Sequence, residues 1–397
     1  MKAILRFLKT PLIKYCYDNV RPALTLFAVL FIYAGSFAQT TIKWTGDGSG
    51  TSNPFATSDF NSIVNWDLPR VPLPTDSVVI ILTQNKASNI NLSASTTIKN
   101  LTLIVPFNNN NNQQVYLNVG AYTLTISGKS SVDLQDNQPN NKISIGVNDV
   151  SSAGVIDFGG DVTFGLTPLD KSDGVYLVGN PNSKIISRSN FTLGIMAKVA
   201  QVSAILPGPP GILLFDGTGT QNFTFSNASN TCNFNNIIVG SVNSPTVVVG
   251  GINVPDNILG NITVANSAIL DLNTVQLNRN TNGGTLLLQN KSILRLAGLS
   301  SSIKNGNSTL IPGSNFPSGF NNIVLDSTST VEFYGTNQSI PGALHNIKGY
   351  GNLTLTNNTK TLISNFAVFR SLTLATNTTM NLGGFDDTLK SNNVTTA

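Results

Sequence analysis

The sequence predicts an all-β fold, a parallel β-solenoid closed at its N-terminal side by a cap, and three observations carry that prediction. First, short segments alternate apolar and polar side chains, as in Leu101-Thr102-Leu103-Ile104-Val105, Tyr122-Thr123-Leu124-Thr125-Ile126 and Asn261-Ile262-Thr263-Val264; a period of two is that of a half-buried strand. Second, Glu332 is the only glutamate and charged residues make up 11% of the chain, while Asn, Thr, Ser and Gly abound. Helices draw on Glu, Lys, Ala and Leu; strands and tight turns draw on Thr, Val, Asn and Gly. Third, the chain aligns with itself. Leu214-Phe215-Asp216-Gly217-Thr218 with Gln221 returns 118 residues on as Glu332-Phe333-Tyr334-Gly335-Thr336 with Gln338. Ile262-Thr263-Val264 and Leu270-Asp271-Leu272 return 110 residues on as Leu372-Thr373-Leu374 and Met380-Asn381-Leu382. A weaker copy runs from Leu117 through Gly120 to Leu124. Units that cannot bury an apolar face alone must stack on their neighbours, in coils of about 20 to 30 residues. Tandem antiparallel β-sandwiches are the alternative, because short, regularly spaced strands are also their signal. The copies differ by whole insertions, as loops on a stack can.

Taken in order, the chain opens with Lys2, Arg6, Lys9, Lys14 and Arg21, an apolar run from Ala23 to Ala34, and Ser36-Phe37-Ala38. That is the layout of a secretory signal peptide over residues 1–38, with an apolar run well short of the roughly twenty residues a membrane span needs. Five of the 23 Lys and Arg and one of the 19 Asp and Glu lie in this leader, which leaves 18 of each. A neutral mature chain lacks the basic footprint of a nucleic-acid binder. Cys16 also lies in the leader, so Cys232 is the single cysteine beyond it and no intrachain disulfide forms there. Residues 39–95 hold both tryptophans and a Pro-rich stretch and read as a cap with the first strands. Trp44 and Trp66 cover the first coil, with Pro69, Pro72 and Pro74 blocking strand addition at that edge. Residues 96–206 and 212–397 read as two solenoid segments, separated at Pro207-Gly208-Pro209-Pro210-Gly211, a stretch too rigid and donor-poor for a ladder. The run Asn108 to Asn112 reads as a solvated loop.

The motifs Trp44-Thr45-Gly46, Asn65-Trp66, Val71-Pro72 and Asp76-Ser77-Val78-Val79-Ile80 resemble the opening of secreted β-helical surface proteins of Gram-negative bacteria. Val331 to Thr336 and Asn352-Leu353-Thr354-Leu355 are similar to repeats of large, adhesin-like proteins exported by the type IX route. The resemblance implies a cell-surface or extracellular β-helix with adhesive or matrix roles, marks Trp44, Asn65, Trp66, Pro72 and Asp76 as cap residues, and brings no catalytic residue. Such proteins usually end in a sorting or anchoring domain. This sequence stops after Thr395-Thr396-Ala397, which reads as a truncation.

Catalytic constellations are thin. His345 is the only histidine, sits in Ala343-Leu344-His345-Asn346 without a neighbouring carboxylate, and reads as a turn between coils rather than part of a triad or a zinc site. An acidic site at Asp157, Asp161, Asp170 and Asp173, followed by Lys171, Lys184 and Arg188, is the one enzymatic alternative: a polysaccharide lyase holding calcium on carboxylates, or a glycoside hydrolase. Against it, Asp170 and Asp173 fit an Asx-type turn, and Gly159-Gly160-Asp161 fits a tight corner. Thr-x-Thr triplets at Thr123 and Thr354 read as ordinary outward strand faces. The expectation is therefore a non-enzymatic, secreted or surface-located scaffold without cofactor, touching carbohydrate or cell-surface material. A spacer region within a larger secreted protein is the further alternative.

Overall fold

Among the described residues, strands of two to nine residues account for nearly all regular structure. The structure, a computed structural model, describes residues 39–45, 57–81, 88–105, 114–135, 142–147, 151–166, 174–195, 197–199, 209–226, 232–251, 258–299, 313–385, 387–389 and 393–396. Residues 1–38, read from the sequence as a signal peptide, the run 108–112, Asp170 and Asp173 lie outside the described residues. Met1–Thr41 and Ile42–Ala397 are separate units, and the fold is that of the second. Among the described residues the only helical turns are two 3-10 turns, Ile63–Asn65 and Ala343–His345, and no helix is long and apolar enough to cross a membrane.

The architecture is a parallel β-solenoid. A typical coil runs Ser88–Asn91, Thr96–Ile98, Asn100–Val105, and each of these strands pairs in parallel with its counterpart in the next coil. Among the described residues the three resulting faces contain six, nine and fifteen strands. Beyond Ala197–Lys198 the first face continues as isolated parallel bridges, Val199 to Cys232 and Phe234 to Ile258 to Arg279. A fourth ladder of three strands, Gln338–Ile340, Asn358–Leu362 and Thr378–Asn381, belongs to the later coils. This parallel pairing overturns the antiparallel-sandwich alternative; the isolated bridge Trp44 to Trp66 is antiparallel. Register partners lie from 18 residues apart, Tyr350 to Val368, to 37, Leu294 to Val331, a wider spread than 20 to 30. Lys184–Ser187 pairs with Ile212–Phe215, which carries the second face from one side of the stretch 207–211 to the other.

Because register is kept, inward side chains stack in columns. Val247, Leu270, Leu294, Val331, Leu353 and Leu372 follow one another on the third face, and all are buried. Burying each contributes roughly 1.5–3 kcal/mol. On the second face Ile98, Ile126, Phe158, Ser187, Phe215, Val239, Val264 and Leu288 form another column. Its one polar member is satisfied, since Ser187 Oγ donates to Ser189 O at 2.9 Å. Between these faces phenylalanines mesh: ring centroids lie 6.1 Å apart for Phe191 and Phe223, 5.0 Å for Phe215 and Phe223, and 5.6 Å for Phe223 and Phe234.

The sequence repeat has a local cause. Gln221 points inward at a corner, where its Oε1 accepts from Gly217 N at 2.8 Å and its Nε2 donates to Ser187 O and Ser189 O. Gln338 repeats this with Gly335 N, Leu296 O and Gly298 O. Glycine is required because a Cβ on Gly217 would stand 2.3 Å from Arg188 O, and one on Gly335 2.0 Å from Ala297 O. The first corner joins the second face to the third; the second joins the third face to the fourth ladder. The repeat thus marks a type of corner rather than a position in the coil.

Truncating Phe191 to Ala should destabilise the protein by about 3–5 kcal/mol. Thr192→Ala, on the outward side of the same strand, should stay within about 0.5 kcal/mol. Urea unfolding of the two variants measures the difference.

Candidate functional site

Of the acidic residues singled out in the sequence, Asp157 and Asp161 are described, and each has its own partners. Asp157 lies on the outside of the second face, gripped by both Arg188 Nε and Nη2 at 2.8 Å; Arg188 Nη1 also lies 3.7 Å from the buried Asp216. Asp161 sits at the corner before Val162–Phe164. Its Oδ1 accepts from Ser189 Oγ at 2.6 Å and from Asn190 N and Nδ2. The Ser189 bond leads the effects that hold its carboxyl below the usual value, against burial. Both carboxylates are committed to bracing the coil above them. Among the described residues no three His, Cys, Asp or Glu side chains gather as metal ligands.

The five residues read as a cap from the sequence all fall within residues 44–76, among the first strands and turns of the unit. Trp44 and Trp66 are buried, their rings edge-on at 5.0 Å, with Phe60 4.9 Å from Trp66. Trp66 Nε1 donates to Phe60 O at 2.9 Å, and Asn65 Nδ2 to Asp59 O at 2.7 Å. Pro72 is buried. Asp76, with its side chain 1% exposed, accepts a two-point contact from Arg70 and a bond from Leu73 N at 2.7 Å. Burial pushes its carboxyl up, but Arg70 and the Leu73 amide outweigh burial and leave it below the ordinary carboxylate range.

Outward side chains of the third face form files that sequence spacing concealed. Thr102, Ser131, Thr163, Thr192 and Thr224 stand in register on five successive coils. Unequal coil lengths hid this file, whereas the Thr-x-Thr triplets that the sequence shows run along a strand. Farther along, Asp271, Arg295 and Glu332 stack in register. Arg295 donates to Glu332 Oε2 at 2.8 Å and to Asp271 Oδ2 at 2.9 Å, and lies over the Tyr334 ring. Tyr334 donates to Asp271 Oδ1 at 2.8 Å. Asparagines link coils in the same manner, Asn118 to Asn91, Asn222 to Asn190 and Asn261 to Asn236.

Lys360 was not anticipated. It pairs in register with Gln338, is fully buried, and donates to Gly335 O and Asn357 O. Burial pushes its ammonium down to about 8. Such a lysine is a nucleophile in principle, but here its amine closes a corner away from solvent. Cys232 is likewise buried, its thiol pushed up to about 11 by burial.

One concave site stands apart from these braces. The second face ends at Phe320–Leu325, while the third continues through Tyr350–Leu355 and Phe366–Leu374. In chain order residues 341–349 hold the place of the next second-face strand. Pro341 has no N–H to donate, and Ala343–His345 makes a 3-10 turn closed by Asn346 at φ 62°. The turn stands off the last strand and leaves a cavity of about 200 Å³ lined by Asn282, Ser318, Asn321, Leu344, His345 and Asn346 over Phe320 and Ile323. A second groove of about 360 Å³, also lined by Asn321, Ile323 and Asn346, reaches Lys348. Two buried polar atoms at this site have no partner, Ser318 Oγ and His345 Nδ1. Burial lowers the His345 pKa, which favours the uncharged imidazole. The reading of His345 as a turn between coils agrees with this geometry; the cavity beneath the turn had no local sequence signal, because its walls come from segments some 20 to 60 residues apart. No family model matches the chain, and no curated protein or solved structure matches it.

Two pH effects follow from the buried ionisable groups. The depressed Asp76 contributes stability that is present above its unfolded value of about 3.9 and is lost as pH falls through its lower folded value. Arg70→Ala should cost about 1–3 kcal/mol at pH 7, the penalty of a buried acceptor left short of a partner, and much less at pH 2; urea unfolding at both pH values checks this. For Lys360, the unfolded chain holds a proton up to about pH 10.4 that the folded chain releases near 8. Its contribution therefore makes stability rise with pH across that window, and Lys360→Met should remove that part of the rise in a thermal unfolding series from pH 7.5 to 10.5.

Proposed function

We propose that the chain is an exported structural or adhesive repeat protein of the cell surface or extracellular matrix, which contacts carbohydrate or other surface material through its outward faces. The observation that carries this reading is the character of the third face. It offers a file of five hydroxyl side chains on successive coils and a charged stretch that is internally paired. Such a face repeats neutral hydrogen-bonding groups at the strand spacing of about 4.8 Å, suited to weak, multivalent contact with a polymer. The secretory layout of residues 1–38 and the resemblance to type IX β-helical surface proteins favour the same location. Pairing of Asp157 with Arg188, and of Asp161 with Ser189 and Asn190, weighs against the lyase and hydrolase alternatives.

The test is retention of residues 39–397 on immobilised neutral polysaccharides. Retention should change less than about tenfold between 50 and 200 mM salt, where a phosphate-directed basic protein loses roughly a thousandfold or more, and the polymer should be recovered intact. Cleavage of the glycan, or a steep salt dependence, would refute the proposal.

A further inference from the structure

The cavity under the Ala343–His345 turn has features that the coil stack does not need. A solenoid is stabilised by continuing its faces, yet here the second face stops while the third runs on. The exposed side of Phe320–Leu325 is left bordering a hollow instead of another strand. Its wall chemistry is selective. Asn282, Asn321 and Asn346 supply planar amides, each carrying two donors and an acceptor. Ser318, itself 4% exposed, brings a hydroxyl, and His345 an imidazole nitrogen, both buried and without a partner in the protein. Neither atom exposes surface to solvent or to the cavity, so the groups open to a ligand are the exposed amides of Asn282, Asn321 and Asn346. Leu344, 75% exposed, projects an apolar side chain at the rim, and Phe320 and Ile323 form the floor.

Charge narrows the ligand class. Among the described residues no carboxylate, Lys or Arg lines the inner cavity, and burial favours the uncharged form of its histidine. A charged ligand would be desolvated there without compensation. The volume of about 200 Å³ falls below the range of about 300–1,000 Å³ for drug-sized ligands and suits a single small ring. The ligand that combines many hydroxyls, no charge and one apolar face is a neutral pyranose.

We propose that this cavity is a binding site for one neutral sugar ring, the end of a glycan whose next unit lies in the adjoining groove beside Asn322 and Lys348. The proposal rests on the carbohydrate reading above and deepens it by assigning an end-binding site distinct from the repeated faces. Asn321 and Leu344 are exposed, so replacing them tests binding without opening the core.

His345 is the only histidine of the chain, so its imidazole NMR signals report on the cavity without ambiguity in a preparation lacking a histidine tag. The secreted chain is titrated with glucose, galactose, mannose and N-acetylglucosamine. At least one should shift the His345 signals saturably, with a midpoint on the order of 1 mM, about −4 kcal/mol. Asn321→Ala combined with Leu344→Ala should weaken that binding at least tenfold, while the denaturant midpoint stays unchanged. The proposal is overturned if no sugar of the panel gives a saturable shift, or if the double variant binds as the parent does. Retention on immobilised polysaccharide separates the two readings. Retention without a His345 response removes the cavity site and leaves the adhesive reading standing, whereas loss of both removes both.

Discussion

In-register parallel pairing is the constraint on which the rest of this protein depends. Every strand in a central coil gives its backbone N–H and C=O groups to the coil before and the coil after, so a side chain's neighbours above and below are set by register alone. An inward position therefore needs an apolar residue in coil after coil, as in the column from Val247 to Leu372. A single polar residue in such a column must bring its own partner, as Ser187 does through Ser189 O. With Cys232 the only cysteine after residue 38, cohesion comes from this stacking and from the ladders.

Corners are where the constraint is hardest to meet, because the chain turns sharply while lying directly on the corner below. Gly217 and Gly335 allow that close approach, and the bends leave backbone groups that no ladder can reach. Gln221, Gln338 and Lys360 point inward and pair with those groups. The three side chains do the same job, which explains why a long cationic residue lies fully buried.

Register also governs charge. Like charges on adjacent coils would sit about 4.8 Å apart and repel, so a charged residue needs an opposite or neutral neighbour in its file. Asp271, Arg295 and Glu332 alternate in sign, with Tyr334 satisfying Asp271 further, and Arg188 serves Asp157 in the same way. The low and balanced charge of residues 39–397, 18 Lys and Arg against 18 Asp and Glu, is the compositional trace of this rule. The departure from regular stacking at Phe320–Leu325 is consequently conspicuous: there the pattern gives way to a turn, unpaired polar atoms and a hollow with uncharged walls.

The sequence by itself determined the class of fold. Alternation with a period of two, the scarcity of Glu and the self-similar segments belong to single strands and corners, and these are local properties that a chain displays before it folds. It also exposed Phe215-Asp216-Gly217 and Phe333-Tyr334-Gly335 as equivalent, because glycine and glutamine are demanded there by the corner itself. Only the tertiary structure decided which residues share a file. Register separations of 18 to 37 residues remove any fixed spacing, so Thr102 and Thr224, or Asp271 and Glu332, become members of one file through register alone. The same holds for the cavity. Asn282, Ser318 and His345 carry no mutual signal along the chain, and they meet because one face of the stack ends while its neighbour continues.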